Sequence, residues 1–330
     1  MITRRNILIV LGACALAEAL PALAQQKGKV SRVAYFYYGS RQSAVDTGRY
    51  GEFLKGMREL GYVEGKNLVI EARFADGVSE RLPVLATELV QLKTDVIVAT
   101  GVPVYRALQK ATKTIPVVIT VAADPVGEGF AVSLARPGGN FTGLATGNTE
   151  LYPKHIELLK IAVPKLSRIA VLWNSGNEAH PARLKKVQEI AQKAGINALG
   201  VGGRTADDIE RGFTTMARER AEAVFVVNDT FFVQQIRQIC QLAIKHRLPS
   251  IFGSTDYADA GGLIGYGQDG LVPHRRAATY VDKILKGTKP GDLPIEQPTK
   301  LSLVINRKTA KAIGLALPQE LVLRADRVIE

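Results

Sequence analysis

The residues best placed to do chemistry in this chain follow the ends of apolar, strand-like segments. They are hydroxyls, amides, single acids and a few aromatic side chains, which suit ligand binding better than catalysis. Ligands of open α/β sheets bind outside the carboxyl ends of the strands, so these positions predict a binding site. The candidate ligand-binding residues are Tyr38, Ser40, Thr100, Gly101, Ala123, Asp124, Asn148, Asn174, Asn228, Asp229, Ser254 and Tyr266.

Two neighbouring candidate segments suggest how an acidic group would be held. Backbone N–H groups and a hydroxyl converge at helix N-termini near Thr100, Gly101 and Ala123, so we expect these residues to hold a carboxylate-like group. Asp124 precedes Pro125, which is the pattern of a helix N-cap with proline at the first helical position. For Asp124 the capping role is therefore favoured over ligand contact.

Asp229 is the candidate for binding an amino group. It follows the most apolar strand of the second half of the chain and precedes a predicted helix, so it suits either a helix cap or an ammonium anchor. If it is an anchor, we expect Tyr38 or Tyr266 to pack on the apolar part of the ligand.

The sequence carries no pattern typical of catalysis or of metal and cofactor binding. There is no G-x-S-x-G motif, and residues 37–43, after the first predicted strand, lack the glycine spacing of a dinucleotide-binding loop. The histidines stand apart on or beside predicted helices, which favours surface or helix-end positions over metal ligation. We expect no catalytic residue, no metal, no cofactor and no enzymatic activity. The four histidines are His155, His180, His246 and His274.

Strands alternate with amphipathic helices in two successive series, which predicts two βαβ domains that face each other. Predicted strands cover 32–37, 68–74, 96–99 and 116–120 in the first series, and 168–173, 223–227, 249–252 and 263–266 in the second. Predicted helices start near residue 46 and near 82, and further ones cover 151–163, 181–194, 208–220, 232–246 and 273–286. A late strand at 301–306 indicates that the chain crosses between the domains more than once, as in a hinge.

Composition agrees with a two-domain globular protein. The chain has 330 residues and is 46% hydrophobic, enough for two cores. Its net charge of +12 is spread along the chain without a basic stripe, so we expect no nucleic-acid partner, and we expect a monomer. Cys240 stands alone on a helical segment, which predicts a buried core thiol.

The first residues have the pattern of an export signal. Arg4 and Arg5 precede an apolar stretch, and Ala22-Leu23-Ala24 presents small residues where a signal peptidase cuts. The sequence therefore predicts a cleaved signal over 1–24 and a periplasmic protein. Two variants stay open, because residues 3–8 resemble a twin-arginine signal and residues 11–14 resemble a lipoprotein box.

Several longer motifs carry a family resemblance. The chain resembles the ABC-transporter substrate-binding proteins of the tryptophan/tyrosine type, which have the type I periplasmic-binding fold. The motifs are Glu59-Leu60-Gly61-Tyr62-Val63-Glu64-Gly65-Lys66-Asn67, Asp124-Pro125-Val126-Gly127, Leu134-Ala135-Arg136-Pro137-Gly138-Gly139-Asn140-Phe141-Thr142-Gly143, Arg275-Arg276-Ala277-Ala278, Leu285-Lys286-Gly287 and Leu303-Val304-Ile305-Asn306-Arg307-Lys308-Thr309-Ala310.

The resemblance implies two doubly wound, Rossmann-like lobes with parallel sheets, joined by a hinge of three crossings and holding a ligand between them. Lobe 1 would comprise residues 30–145 and 271–296, and lobe 2 residues 146–270 and 297–330. The implied ligand is an amino acid or another small aromatic or carboxylate-type molecule, and the implied partner is an ABC permease of the inner membrane. A sensory binding protein that docks on a receptor is the alternative, and an exported enzyme on the same fold is a weaker one.

Overall fold

The computed structural model describes residues 30–330, so the export signal expected over 1–24 and its variants lie outside the described residues. The strands are β1 Ser31–Tyr37, β2 Leu68–Phe74, β3 Val96–Thr100, β4 Val117–Ala122, β5 Phe141–Ala145, β6 Arg168–Trp173, β7 Asn197–Gly202, β8 Ala223–Val226, β9 Ser250–Ser254, β10 Ile264–Gln268, β11 Ser302–Asn306 and β12 Arg327–Ile329. The helices are α1 Arg41–Asp46, α2 Arg49–Glu59, α3 Leu82–Gln91, α4 Val102–Ala111, α5 Tyr152–Ala162, α6 His180–Lys193, α7 Ala206–Arg218, α8 Thr230–Gln234, α9 Ile236–Lys245, α10 Asp256–Asp259, α11 Val272–Leu285, α12 Arg307–Ile313 and α13 Gln319–Leu323. In this part of the chain no helix is long and apolar enough to cross a membrane.

The strands form two sheets, which define the two lobes used below. Lobe 1 contains the sheet β2-β1-β3-β4-β5, and lobe 2 contains the sheet β12-β11-β10-β9-β8-β6-β7. The predicted architecture is confirmed: two α/β lobes, each built on a mainly parallel sheet. One pair departs from the parallel pattern, because β11 runs antiparallel to β10.

Each sheet changes winding direction once, and these switch points locate the site. In lobe 1 β1 lies between β2 and β3, and in lobe 2 β6 lies between β7 and β8. Two chain segments therefore diverge at the carboxyl ends of β1 and β3, and again at those of β6 and β8. Such a divergence opens the crevice in which open α/β sheets bind ligands.

Helix α11 brings the chain back to lobe 1 after β10. It packs on α2, and the Tyr62 hydroxyl donates to Asp282 of α11 at 3.0 Å. Inside lobe 1 the Tyr35 hydroxyl lies 3.5 Å from Nδ1 of His274, also on α11. The chain then returns to lobe 2, where β11 extends the second sheet.

Several local predictions were wrong. The helix expected from about residue 46 begins at Arg49, after Gly48, which has a φ of 74°. The short helix Arg41–Asp46 that precedes it was not predicted. The helix expected over 232–246 is divided at Gln235. Strands β5 and β7 were missed, because both contain glycines and polar residues that weaken the strand pattern.

Asp124 is the other local correction. It does not begin a helix: Oδ1 accepts the Gly127 N–H at 2.9 Å and closes a turn. Aspartate followed by proline starts turns as readily as helices, and the glycine at position 127 favours the turn.

Gly143 offers a test of lobe 1 packing. Its φ is 131°, and a Cβ there would overlap the Ile119 carbonyl oxygen of β4. We expect Gly143→Ala to lower the free energy of unfolding by about 3 kcal/mol, through backbone strain and overpacking. Gly139→Ala is the matched control, since nothing lies within 4 Å of a Cβ at that position. Equal urea midpoints for the two variants would contradict this packing.

Candidate ligand-binding site

A pocket lies between the lobes at the ends of the strands. Its empty volume is about 770 Å³, which includes the space open to solvent. Both lobes and the segments that connect them contribute to its wall. The lining residues are Arg49, Thr100, Gly101, Val102, Val121, Ala123, Thr146, Asn148, Asn177, Arg183, Asn228, Asp229, Thr230, Val233, Gly253, Ser254, Tyr257, Gln268, Asp269, Gly270 and Pro273.

The structure brings seven of the twelve candidate residues together around this pocket. The seven are Thr100, Gly101, Ala123, Asn148, Asn228, Asp229 and Ser254. The other five, which do not line it, are Tyr38, Ser40, Asp124, Asn174 and Tyr266.

Local hydrogen bonds and packing explain why several candidates do not line the pocket. The Tyr38 hydroxyl donates to the Gly77 carbonyl at 2.8 Å, within lobe 1. Ser40 caps α1 by accepting the Ser43 N–H at 3.0 Å. The Tyr266 ring packs edge-on against His155 of α5, with ring centroids 5.7 Å apart. Neither tyrosine lies where we expected it to pack on a ligand.

Asp229 is the central charged group of the lobe 2 wall. Its side chain is 4% exposed, and Oδ1 accepts from the Asn174 side chain and from the Phe231 N–H, both at 2.8 Å. Oδ2 accepts from Asn177 at 2.7 Å and lies 3.3 Å from Nε2 of His180. Asp229 is therefore the N-cap of α8, one of the two roles that the sequence allowed.

The donors around Asp229 carry no net charge. The Asn174 N–H donates to Nδ1 of His180 at 3.0 Å, which assigns the ring proton to Nε2 and makes the imidazole neutral. Amide, imidazole and backbone N–H groups thus hold a buried carboxylate whose negative charge is not neutralised within this network. The guanidinium of Arg183 lies beside this network, with Nη1 3.4 Å from Nε2 of His180.

The lobe 1 wall offers backbone donors at the start of α4. Gly101 is the N-cap residue of α4, with φ 105°, and makes no side-chain cap hydrogen bond. The Thr100 hydroxyl is 1% exposed and bonds to the Thr120 hydroxyl at 2.8 Å, and Thr120 donates to the Ala99 carbonyl. The hydroxyl hydrogen of Thr100 is therefore used inside lobe 1, so the donors that face the pocket here are backbone N–H groups.

Asn148 combines burial with free hydrogen-bonding capacity. It is 5% exposed and lines the pocket, and within residues 30–330 its side-chain amide makes no hydrogen bond. A ligand in the pocket would supply an acceptor for its N–H groups and a donor for its oxygen.

Two buried arginines are the main residues that sequence reasoning missed. Arg49 of α2 is 6% exposed and Arg183 of α6 is 7% exposed, and both line the pocket. Each lies in the first turn of a helix, next to apolar or proline residues, where a lone cation is unusual. That local pattern was the available signal, but neither position is a strand end. Asn177 and Gln268 also line the pocket and were not among the candidates.

The histidine prediction needs correction. His155, His180 and His274 are at most 1% exposed, so three of the four histidines lie in the interior. Burial lowers the pKa of His155 to about 4, against a hydrogen bond to the Tyr266 carbonyl that raises it. Between residues 30 and 330 no cluster of His, Cys, Asp and Glu could hold a metal ion. Cys240 is buried as predicted.

Comparison with known proteins identifies the family. The model of the ABC transporter substrate binding protein family matches residues 42–329, nearly the whole described chain. The chain belongs to this family. It is therefore a substrate-binding protein of the ABC-transporter type, as its motifs indicated.

Individual relatives agree with the family assignment. The tyrosine-binding protein of Clostridioides difficile strain R20291 is 26% identical over 272 residues, which span 82% of this chain and 78% of the relative. A conserved domain protein of Vibrio cholerae O1 biovar El Tor has a TM-score of 0.83 and 28% identity, over 91% of this chain and 100% of that one. The ABC domain from Streptococcus pneumonia in complex with L-Trp has a TM-score of 0.81 and 24% identity, over 91% and 99%.

The charge of Asp229 predicts a pH-dependent contribution to stability. Burial alone would raise the pKa of Asp229, but hydrogen bonds from His180, Asn177 and Asn174 outweigh it and lower the pKa. A depressed pKa stabilises the folded state above about pH 4, and this contribution is lost as the pH falls through the folded-state pKa.

We therefore expect Asp229→Asn to be less stable than the wild type at pH 7, with the difference shrinking as the pH falls towards 2. Urea unfolding of both proteins across this range measures the difference. A constant difference would contradict a depressed pKa.

Proposed function

We propose that this protein binds an amino acid with an aromatic side chain in the cleft, closes its lobes around it and delivers it to an ABC importer. The proposal includes export to the periplasm, for which the pattern of Arg4, Arg5 and Ala22-Leu23-Ala24 is the support. It also includes the lobe boundaries at residues 145/146, 270/271 and 296/297.

The observation that carries the proposal is the pairing of opposite electrostatic features across one pocket. Asp229 provides a buried negative charge from lobe 2, and the uncapped N-terminus of α4 provides backbone donors and a positive dipole from lobe 1. The two features are close, because a Cβ at Gly101 would lie 3.2 Å from the Thr230 hydroxyl. An ammonium and a carboxylate on neighbouring atoms, as in an α-amino acid, match this arrangement.

Asp229 would act on the ammonium mainly through its field. Its two oxygens already receive four donors, from Asn174, Asn177, His180 and the Phe231 N–H. The ligand's hydrogen bonds would then come from groups with free capacity beside it, of which Asn148 is the clearest. Because closing the lobes excludes water, the field of Asp229 would act in a medium of low dielectric constant.

Support for an aromatic side chain comes from the pocket wall and from the relatives. Val102, Val121, Val233 and Pro273 give the pocket an apolar surface beside its polar groups. One relative, at 26% identity, is a tyrosine-binding protein, and a solved structure of the same fold holds L-Trp. Delivery to an ABC permease is supported by membership of the family.

A thermal-shift screen of the twenty amino acids, followed by calorimetry, tests the ligand class. We expect L-tyrosine, L-phenylalanine or L-tryptophan to raise the Tm by mass action, because they bind the folded state alone. Analogues of these amino acids that lack the ammonium group, such as aryl lactates and phenols, should bind far more weakly. No shift with any aromatic amino acid would overturn the proposed ligand class.

Asp229→Asn tests the role of the charge. Loss of a buried charge interaction of about 1.5–3 kcal/mol should weaken binding of the amino acid found in the screen by roughly tenfold to a hundredfold. Asparagine still caps a helix, so a pure capping role predicts nearly intact affinity. Asp208→Asn is the matched control, because Asp208 is a first-turn aspartate of α7 in the same lobe that accepts the Thr205 N–H but does not line the pocket. Wild-type affinity in Asp229→Asn would contradict the role proposed for its charge.

A further inference from the structure

Ion pairs connect the two lobes at three places around the cleft. In each pair the arginine belongs to one lobe and the carboxylate to the other. The direction alternates, because lobe 1 supplies the arginine in two pairs and lobe 2 supplies it in one. The pairs are Arg49–Asp256, Arg183–Glu128 and Arg106–Glu178.

Two of these pairs are buried and form part of the pocket wall. The side chains of Arg183 and Glu128 are 8% and 10% exposed, and those of Arg49 and Asp256 are 7% and 22% exposed. Both arginines line the pocket. A guanidinium in each wall is thus held in place by a carboxylate of the opposite lobe.

Neighbouring residues fix the geometry of the Arg49–Asp256 pair. Nη2 of Arg49 donates to Oδ2 of Asp256 at 2.6 Å, and the Ser254 hydroxyl donates to Oδ1. A Cβ at Gly270 would lie 2.8 Å from both Nη2 and Oδ2, so the close approach requires glycine there. Gly270 lies where the chain leaves β10 towards α11, which places this pair beside a predicted hinge segment.

The Arg183–Glu128 pair lies beside Asp229. Nη1 of Arg183 is 3.4 Å from the Asn228 carbonyl, and Nη2 donates to Oε1 of Glu128. Glu128 belongs to the turn that Asp124 closes after β4, where the Glu128 N–H donates to the Asp124 carbonyl at 2.8 Å. Lobe 1 therefore reaches the charged wall of lobe 2 through this turn.

We propose that Glu128 and Asp256 are positioning residues that make the closed cleft possible, because each neutralises an arginine that closure buries in the pocket wall. The inference rests on the lobe closure in the proposed function but not on the identity of the ligand. When the lobes separate, each arginine loses its carboxylate partner, and the side of it that faced the opposite lobe gains access to water.

Removing one carboxylate therefore affects the two conformations unequally. In the closed form an arginine stays buried without its partner, which is strongly unfavourable, whereas in the open form the same arginine is hydrated. The effect holds whatever the net stability of the intact pair. The Arg106–Glu178 pair provides the matched control, because its side chains are 32% and 62% exposed and exposed pairs contribute little.

Distances between spin labels on the full chain measure closure without a ligand. Labels at K110C and K185C report on α4 of lobe 1 and α6 of lobe 2, at two exposed lysines outside all three pairs. Cys14 is replaced by serine. Burial raises the pKa of Cys240 to about 12, so its thiol does not compete for the label.

In ligand-free protein we expect a short, closed distance that is clearly populated beside a longer one. In E128Q and D256N the ratio of closed to open molecules should fall by about tenfold or more, and in E178Q it should change less than about twofold. Equal distributions in the wild type, E128Q and D256N would overturn the proposal. The absence of any closed population in the wild type would overturn it as well.

A second arm adds saturating L-tyrosine and separates this inference from the proposed function. Where L-tyrosine binds, its dissociation rate should rise about tenfold in E128Q with the association rate nearly unchanged, as for a buried charge pair. If L-tyrosine shifts the wild type to the closed distance and shifts E128Q and D256N equally, the lobes do close, but the proposed role of the two carboxylates is wrong. If one distance is found in every protein, with and without L-tyrosine, the lobes do not close and the proposed function is wrong as well.

Discussion

The burial of one carboxylate, Asp229, organises the cleft. A charged carboxylate in the interior needs hydrogen-bond donors. The Asn174 and Asn177 amides and the His180 imidazole surround Asp229 in one network at the ends of β6 and β8. Oδ1 of the same carboxylate also caps α8, which carries Phe231 to the boundary between the lobes. The shape of the lobe 2 wall thus follows from satisfying a single charge.

The two lobes present groups of opposite charge to the pocket. Lobe 2 presents a negative charge held by neutral donors, and lobe 1 presents the bare N-terminus of α4 at the end of β3. Neither surface is unusual alone, because helix ends and caps occur throughout α/β proteins. Their opposition across the same pocket is the basis on which we propose a ligand with both charges, and in the further proposal the buried arginine pairs make that opposition depend on closure.

Much of this arrangement could be predicted from the sequence. Apolar runs such as 96–99 and 223–227 are buried parallel strands, so their carboxyl ends were expected to face a binding crevice. That reasoning identified Gly101, Asn228 and Asp229, which line the pocket. It failed for Tyr38 and Tyr266, because the sequence does not tell which side of a strand end turns inward. The Tyr38 hydroxyl instead donates to the Gly77 carbonyl, and the Tyr266 ring packs against His155.

The pairing of the buried arginines could not be predicted from the sequence, for a different reason. Arg49 and Asp256 are 207 residues apart, and their contact exists only once the lobes have met. The residues around Arg49 and Arg183 could have marked them as unusual, but a local pattern carries no information on a distant partner, and most arginines are exposed.

In the proposed mode of binding, both lobes hold one ligand at these strand ends. Hydrogen exchange measured by mass spectrometry, with and without the aromatic amino acid that binds, detects such a contact in each lobe separately. We expect protection in 100–111 of lobe 1 and in 226–239 of lobe 2 at the same ligand concentration, because backbone groups at both helix starts lose access to water. Protection confined to one lobe, or lying outside the cleft, would contradict the account.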